Sequence, residues 1–499
     1  MRLPGFVGGS YVSQSQTADA QRSVNLFPEL DERGPDKRLV LVGTPGLALF
    51  ATLPVGPVRA LFCEDGRCFA VGGNAFCEIL SSGVVIQRGG ALAADGAPAT
   101  ICSNGKQLFI TSGGSGYIFD LSTNGLFLIT ASGFPAAVAM GAFCDGYFVV
   151  LVKNSATFNI SALFNGLQWD SLDFGTRSEG SDRLLALKVD HRELVLMGSH
   201  STEIWNNQGD ANFPFAPVPG SLIPQGIGAP ASLTLFDNTF AWIGADERGH
   251  GIVYRANGYK PERFSDHSLD RAMQNYSTIA DAEGWAYQQD GHDFLTFWFP
   301  TADTTWTFDA ATQMWHERAW WGSGATTPGP PIPPPVFVGV PGVTPVVPSF
   351  HAHRARCHAF AFGQHLVGDR LLGSVYRQSP LVYDDAGVQI HRLRRAPPVR
   401  AEKSPLRQSV FELDMETGLG LTTGQGIDPQ ISLSFSDDGG GIYSSPQAVS
   451  AGAIGQRGTR VMWRRLGMSR TRNDRIYQVE MSDAVSWRLF DAYLTAGGA

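Results

Sequence analysis

The sequence predicts an all-β protein, a β-propeller of six to eight blades followed by a smaller β-sandwich-like domain. Three observations predict it: a composition rich in turn formers, a four-residue pattern recurring seven times mid-chain, and a change of texture beyond about residue 400. Of 499 residues, 43% are apolar and 17% charged. That is enough to fill a large core, and it excludes wholesale disorder. The length alone gives a prior of two to four domains. Glycine (58) and proline (30) make up roughly 18% of the chain, against a usual total of about 12%. Long helices accept such a mixture poorly, whereas short strands joined by turns accept it well.

The repeat is a small residue, two others, then an aromatic. Its copies are GNAF (73–76), GYIF (116–119), SATF (155–158), TEIW (202–205), GIVY (251–254), TWTF (305–308) and GSVY (373–376). The aromatics are Phe76, Phe119, Phe158, Trp205, Tyr254, Phe308 and Tyr376. Each copy follows an apolar run, at 68–71, 108–111, 147–152, 193–197, 240–244, 294–299 and 359–367. Successive aromatics lie 43, 39, 47, 49, 54 and 68 residues apart. The last interval holds a proline-rich stretch, 328–348, whose removal brings the spacing back to 47. Two strong strands every 40–50 residues suit a four-stranded propeller blade. Inner strands buried on both faces read as continuous apolar runs. An aromatic on the next strand fills the wedge between blades, and the small residue lets the preceding turn pack closely.

On this reading residues 56–400 form the propeller. The insertion at 326–348 cannot be a ladder strand, because proline has no amide to donate. It is expected as an extended loop from a blade edge, either passive or contacting a subunit or partner. Residues 1–55 are expected as an extended arm or edge strands. Residues 401–499 carry five or six strand-like segments, beginning with the alternating run at 410–416, and make a small sandwich-like domain. Arginines gather around it: Arg392, Arg394, Arg395, Arg400, Arg464, Arg465, Arg470, Arg472 and Arg475. They are read as solvated strand faces with ion pairs, or as an electrostatic docking face.

The net charge of −8 argues against wrapping nucleic acid by phosphate neutralisation, which needs a surplus of lysine and arginine. Cys63, Cys68, Cys77, Cys102, Cys144 and Cys357 contain no C-x-x-C pair and read as buried thiols. No segment approaches the roughly 20 apolar residues of a membrane span. The amino terminus lacks the apolar core of a signal peptide, so synthesis in the cytoplasm is expected. No cofactor is expected. The segment with His351, His353, Cys357 and His358 could imitate a metal site, but no second ligand cluster accompanies it. Asp290 and His292 read as a blade turn.

Two flanking stretches are familiar in combination. The first is SYVSQSQ (10–16), QRSVNLFPE (21–29) and GTPGL (43–47). The second is LDMETGLG (413–420), SFSDDGG (434–440) and WRRLG (463–467). With the repeat between them, the chain resembles the packaged-DNA stabilisation proteins, or tail hubs (nozzles), of short-tailed bacteriophages. The resemblance implies a non-enzymatic part of the virion tail, made in the host cytoplasm. It implies a homo-oligomeric, hexameric ring below the head–tail adaptor that prolongs the channel, lets double-stranded DNA pass non-specifically at ejection and helps retain packaged DNA. Tail fibres, spikes or a needle would dock on it. An acidic lumen would keep phosphate from sticking.

Two other readings compete. A sialidase-like glycoside hydrolase is suggested by Ser436, Asp438, Gly440 and Tyr443, which fit an Asp-box turn. That turn occurs once and outside the repeat, and no carboxylate pair stands out for hydrolysis. A generic propeller interaction scaffold is the third reading.

Overall fold

The computed structural model describes residues 1–31, 38–180, 182–246, 248–322, 348–399, 406–469 and 475–498. Glycine and other positive-φ residues close tight hairpins throughout, as at Asp65–Gly66 and Asp145–Gly146, and the strands between them assemble into a β-propeller and a β-sandwich. Among the described residues the one α-helix is His267–Gln274, between the fifth and sixth blades, capped by the Asp266 carboxylate accepting from the Leu269 amide at 2.8 Å.

Among the described residues the propeller has seven four-stranded antiparallel blades. Blade 1 is Val58–Glu64, Arg67–Gly72, Ala75–Ile79 and Val85–Gly89. Blade 2 runs from Thr100–Ser103 to Gly125–Leu128, blade 3 from Val138–Cys144 to Asn165–Thr176, and blade 4 from Leu184–Asp190 to Phe215–Pro217. Blade 5 runs from Thr234–Phe236 to Lys260–Arg263, and blade 6 from Glu283–Gln289 to Met314–Glu317. Blade 7 takes its three inner strands, Ala355–Ala361, Gln364–Asp369 and Ser374–Ser379, from late in the chain. Its outer strand, Gly46–Thr52, comes from the amino-terminal flank. The two ends of the propeller sequence therefore zip together and close the ring.

The apolar runs are the second strands of the blades, and the repeat aromatics stand on the third. In the last copy the run at 359–367 spans the turn between the first two strands of blade 7. Phe76, Phe119, Phe158, Trp205, Phe308 and Tyr376 are buried and Tyr254 is half-buried. Phe76 meets Phe119 edge-on across the blade 1–blade 2 boundary at 5.0 Å, and Phe158 meets Trp205 across the next boundary but one at 5.2 Å. The small first residue has a visible cause at Gly116, where a Cβ would lie 2.4 Å from the Phe134 ring.

The sandwich packs two sheets around Phe411, Trp463, Tyr477, Trp487 and Leu494. One sheet contains Leu26–Leu30, Leu39–Gly43, Arg488–Gly498, Leu406–Met415 and Val461–Arg464. The other contains Ala20–Val24, Arg392–Arg395, Ile476–Met481, Gln430–Ser436 and Gln447–Ser450, and continues through Ala20–Val24 into blade 6. Residues 1–55 thus divide between the domains: Leu3, Phe6, Leu26 and Leu41 join the sandwich core, and Gly46–Thr52 completes the propeller. Arg392–Arg395, placed in the propeller segment by the sequence reading, pairs within the sandwich sheet.

Candidate functional site

Two places concentrate buried polar groups: the junction between the domains, and the bore of the propeller. At the junction, Ala20–Val24 lies between the outer strand of blade 6 and Arg392–Arg395. Arg22 holds Glu317 of blade 6 through a two-pronged pair at 2.8 and 2.7 Å. Asn25 adopts a left-handed backbone, which asparagine tolerates. Its side chain donates to the carbonyls of Ala319 and His391, both at 2.9 Å, and accepts from the Ala319 amide at 2.8 Å. Phe27 then packs edge-on against Phe294 of blade 6 at 5.4 Å. The SVNLFP stretch is therefore a joint.

Buried arginines finish the junction. Arg394 donates to the carbonyls of Gly5, Phe6 and Gly9, to Ser23 Oγ and to Gln21 Oε1, and burial lowers its pKa to about 9. Arg318 donates to Gln378 and to the Pro45 carbonyl. Arg392 donates to the Asp483 carbonyl, while its Nε and Nη2 are buried without a partner among the described residues. Asp385 beside it keeps one buried oxygen unpartnered, and burial pushes this carboxyl up to about 7 against the pull of Arg318 and Arg392.

The first strands of the blades surround a bore of about 1050 Å³. Near one mouth Arg59 donates to the carbonyls of Gly73 and Ala97 and to Ser112 Oγ, and pairs with Asp95 at 3.3 Å. Arg356 and Glu283 form a two-pronged pair at 2.6 and 2.7 Å. Farther along are Lys188, Cys102, Cys357 and His358. Burial lifts the Cys357 thiol to about 12 and depresses His358 to about 3, so both are neutral near pH 7.

Residues 1–325 match the family model for phage stabilisation proteins, described as the β-propeller of bacteriophage P22 Gp10, and residues 391–496 match the β-sandwich of the same protein. The chain belongs to the bacteriophage P22 Gp10 family. It is thus a phage stabilisation protein and a virion component by family, as the resemblance implied. No curated protein matches the chain in sequence. Similar solved structures include a streptogramin B lyase, at 8% identity and TM-score 0.43, covering 67% of this chain and 98% of that one. The N-terminal domain of Nup159 matches at 10% identity and TM-score 0.40, covering 72% and 98%, and the designed Ika8 protein at 10% and 0.40, covering 66% and 99%. None of these three carries an argument about what the chain does.

The Gp10 propeller match ends just before the proline-rich insertion, and the inner strands of blade 7 fall between the two matched segments. The insertion at 326–348 lies, but for Pro348, outside the described residues; the strands flanking it, Ala319–Gly322 and Ser349–Ala352, pair as a hairpin between blades 6 and 7. Trp321 of that hairpin stacks on His391 of the junction at 4.2 Å.

Within the Gp10 sandwich match, the Asp-box-like residues form a self-contained turn. Ser436 Oγ donates to Asp438 at 2.6 Å and accepts from the Gly440 amide, Asp438 accepts from the Gly441 and Ile442 amides, and Arg395 lies over the Tyr443 ring. Asp290 and Gly291 form the first hairpin turn of blade 6, and His292 pairs with buried Asp309 at 3.0 Å. His351 pairs with Asp303, while His353 lies against Arg318, away from Cys357 and His358 on the bore.

The arginine cluster divides: Arg392, Arg394 and Arg475 are almost wholly buried, against an exposed face, while Arg475 pairs with Asp437 as the ion-pair reading expected. They are internal ties, because the carbonyls and carboxylates they satisfy belong to segments distant in sequence. Arg464 and Arg465 are exposed; Arg400, Arg470 and Arg472 lie outside the described residues. Sequence reasoning missed Asn25, Asp385 and Lys188. A lysine interrupting the apolar run at 184–189 was the one available signal for the last.

Proposed function

We propose that this chain is a non-enzymatic tail hub, or nozzle, subunit of a short-tailed phage. Six copies form a ring below the head–tail adaptor, extend the DNA channel and help retain packaged DNA, with a fibre, spike or needle protein docked outside. The observation that carries the reading is the presence of both Gp10 domains in one chain, locked together by a sheet that runs from blade 6 into the sandwich. A part fastened in this way transmits load between a neighbour held by one domain and a neighbour held by the other. The engagement of Asp438 with its own turn accords with a structural role for the Asp-box-like residues.

Electron microscopy of virions carrying a label on this chain, with light scattering of the purified protein alone and with the adaptor, tests the reading. A ring of about six 53.8 kDa chains and label directly below the adaptor are expected. Label confined to the outer appendages, or a monomer with and without adaptor that turns over glycans in a glycosidase screen, would contradict it.

A further inference from the structure

The bore of the propeller contains a cation without a counter-ion. Four cationic side chains border it: Arg59, Lys153, Lys188 and Arg356. Arg59 is bound to Asp95 and Arg356 to Glu283, and Lys153 stands exposed to solvent. Lys188 is part-buried on the wall, and among the described residues its side chain makes no hydrogen bond or ion pair. Its electrostatic neighbour is the Cys102 thiol from the far side of blade 3. Burial raises the pKa of that thiol, so it is protonated near pH 7 and cannot balance the ammonium. The two remaining acids of the lining do not balance it either. Asp281 accepts from the Thr301 amide through one oxygen and keeps the other buried without a partner among the described residues, and neither it nor Glu64 acts on Lys188, whose electrostatic partner is Cys102.

Burial lowers the pKa of Lys188, because an ammonium withdrawn from bulk water is costly unless an anion meets it. The surrounding wall mixes polar and apolar groups, with Leu61, Met140, Phe143, Leu185 and Val189 as half-buried apolar side chains of the lining. A volume of about 1050 Å³ admits a molecule of drug size. A phosphate or sulfate ion would satisfy the charge but leave that wall in contact with water. We propose that the bore binds a carboxylate carried on an apolar body, with the Lys188 ammonium as its counter-ion. The carboxylate belongs to a small aliphatic or aryl acid or to the end of a peptide chain. This site is independent of ring formation.

The test is calorimetric titration of the full-length protein with 4-phenylbutyrate, with its neutral amide, and with a short peptide ending in phenylalanine, its carboxyl free or amidated. One saturable site is expected for a free carboxylate, with binding at least about tenfold weaker for the matching amide, the loss of one ion pair. Lys188→Gln should weaken binding by a similar factor, and Lys106→Gln, at an exposed position outside the bore, should leave it within about twofold. Preference for phenylbutyrate would point to a small acid, and preference for the free-ended peptide to a chain terminus. Reductive methylation of the unmutated protein, mapped by mass spectrometry, supplies a second readout: bound carboxylate should protect Lys188 and leave the modification of Lys106 unchanged. Absence of saturable binding by either carboxylate, equal binding by Lys188→Gln, or unprotected Lys188 at saturation would overturn the proposal.

Discussion

Arg394 has no carboxylate in its grasp, yet it is fully buried and donates to five acceptors. Its donors hold the loop at Gly5, Phe6 and Gly9 against the sandwich, so the side chain is a staple for the amino-terminal segment. Arg394→Ala would strand several buried acceptors and should cost about 3–5 kcal/mol. Denaturant unfolding should report that loss, and limited proteolysis should show new cleavage within residues 1–24; an unchanged midpoint and digest would contradict the staple. Asp385 supplies a pH effect of definite sign. It is 5% exposed and its folded pKa of about 7 lies above the ordinary carboxyl value. Below about pH 3.9 both states are protonated and the residue costs nothing. As pH rises towards 7 the unfolded chain releases the proton first, so stability falls, by up to about 4 kcal/mol above pH 7. Asp385→Asn should flatten that part of the decline between about pH 4 and 7 in denaturant midpoints measured against pH. An unaltered slope would show that the carboxyl ionises freely in the folded protein.

At the level of the element, the decisive piece is Gly46–Thr52. It pairs with Ser374–Ser379, more than three hundred residues away in sequence, and Leu47 inserts among Trp285, Tyr287, Phe294 and Tyr376. Leu47→Asp buries an unpaired charge there and should cost about 3–5 kcal/mol. Hydrogen exchange should then accelerate first in blade 7, before blades 2 to 4. Uniform acceleration, or none, would show that the ring is not closed at this seam. The sequence disclosed elements unevenly for a related reason. Second strands such as Tyr147–Val152 are covered on both faces and announce themselves as apolar runs, and the third strands carry the repeat aromatics. First strands border the bore and mix side chains such as Arg59, Lys188 and Glu283 with apolar ones, which blurs any period. Outer strands are blurred by solvent, as Leu172 and Phe174 on blade 3 illustrate with 79% and 45% exposure.

For the whole molecule, the order of elements along the chain is not the order in space. The amino-terminal flank enters the sandwich, crosses to close the propeller, and leaves Ala20–Val24 as the shared strand between blade 6 and Arg392–Arg395. The two Gp10 domains are therefore joined by backbone hydrogen bonds as well as by a linker. This coupling is what the proposed hub would need, since a ring subunit must carry force from its adaptor contact to its outer partners without the domains working loose.

Composition, the seven-fold recurrence from Phe76 to Tyr376 and the alternating run at 410–416 were enough to determine an all-β chain with a propeller and a following sandwich. Those features are local: turn chemistry, two-faced burial and period-two alternation act over a few residues. Only the tertiary structure decided that Gly46–Thr52 closes blade 7, that Arg392, Arg394 and Arg475 lie inside, and that Lys188 borders the bore with no carboxylate paired to it among the described residues. Each of these depends on which distant segment arrives beside a residue. An arginine reads the same along the chain whether solvent or five buried acceptors await it.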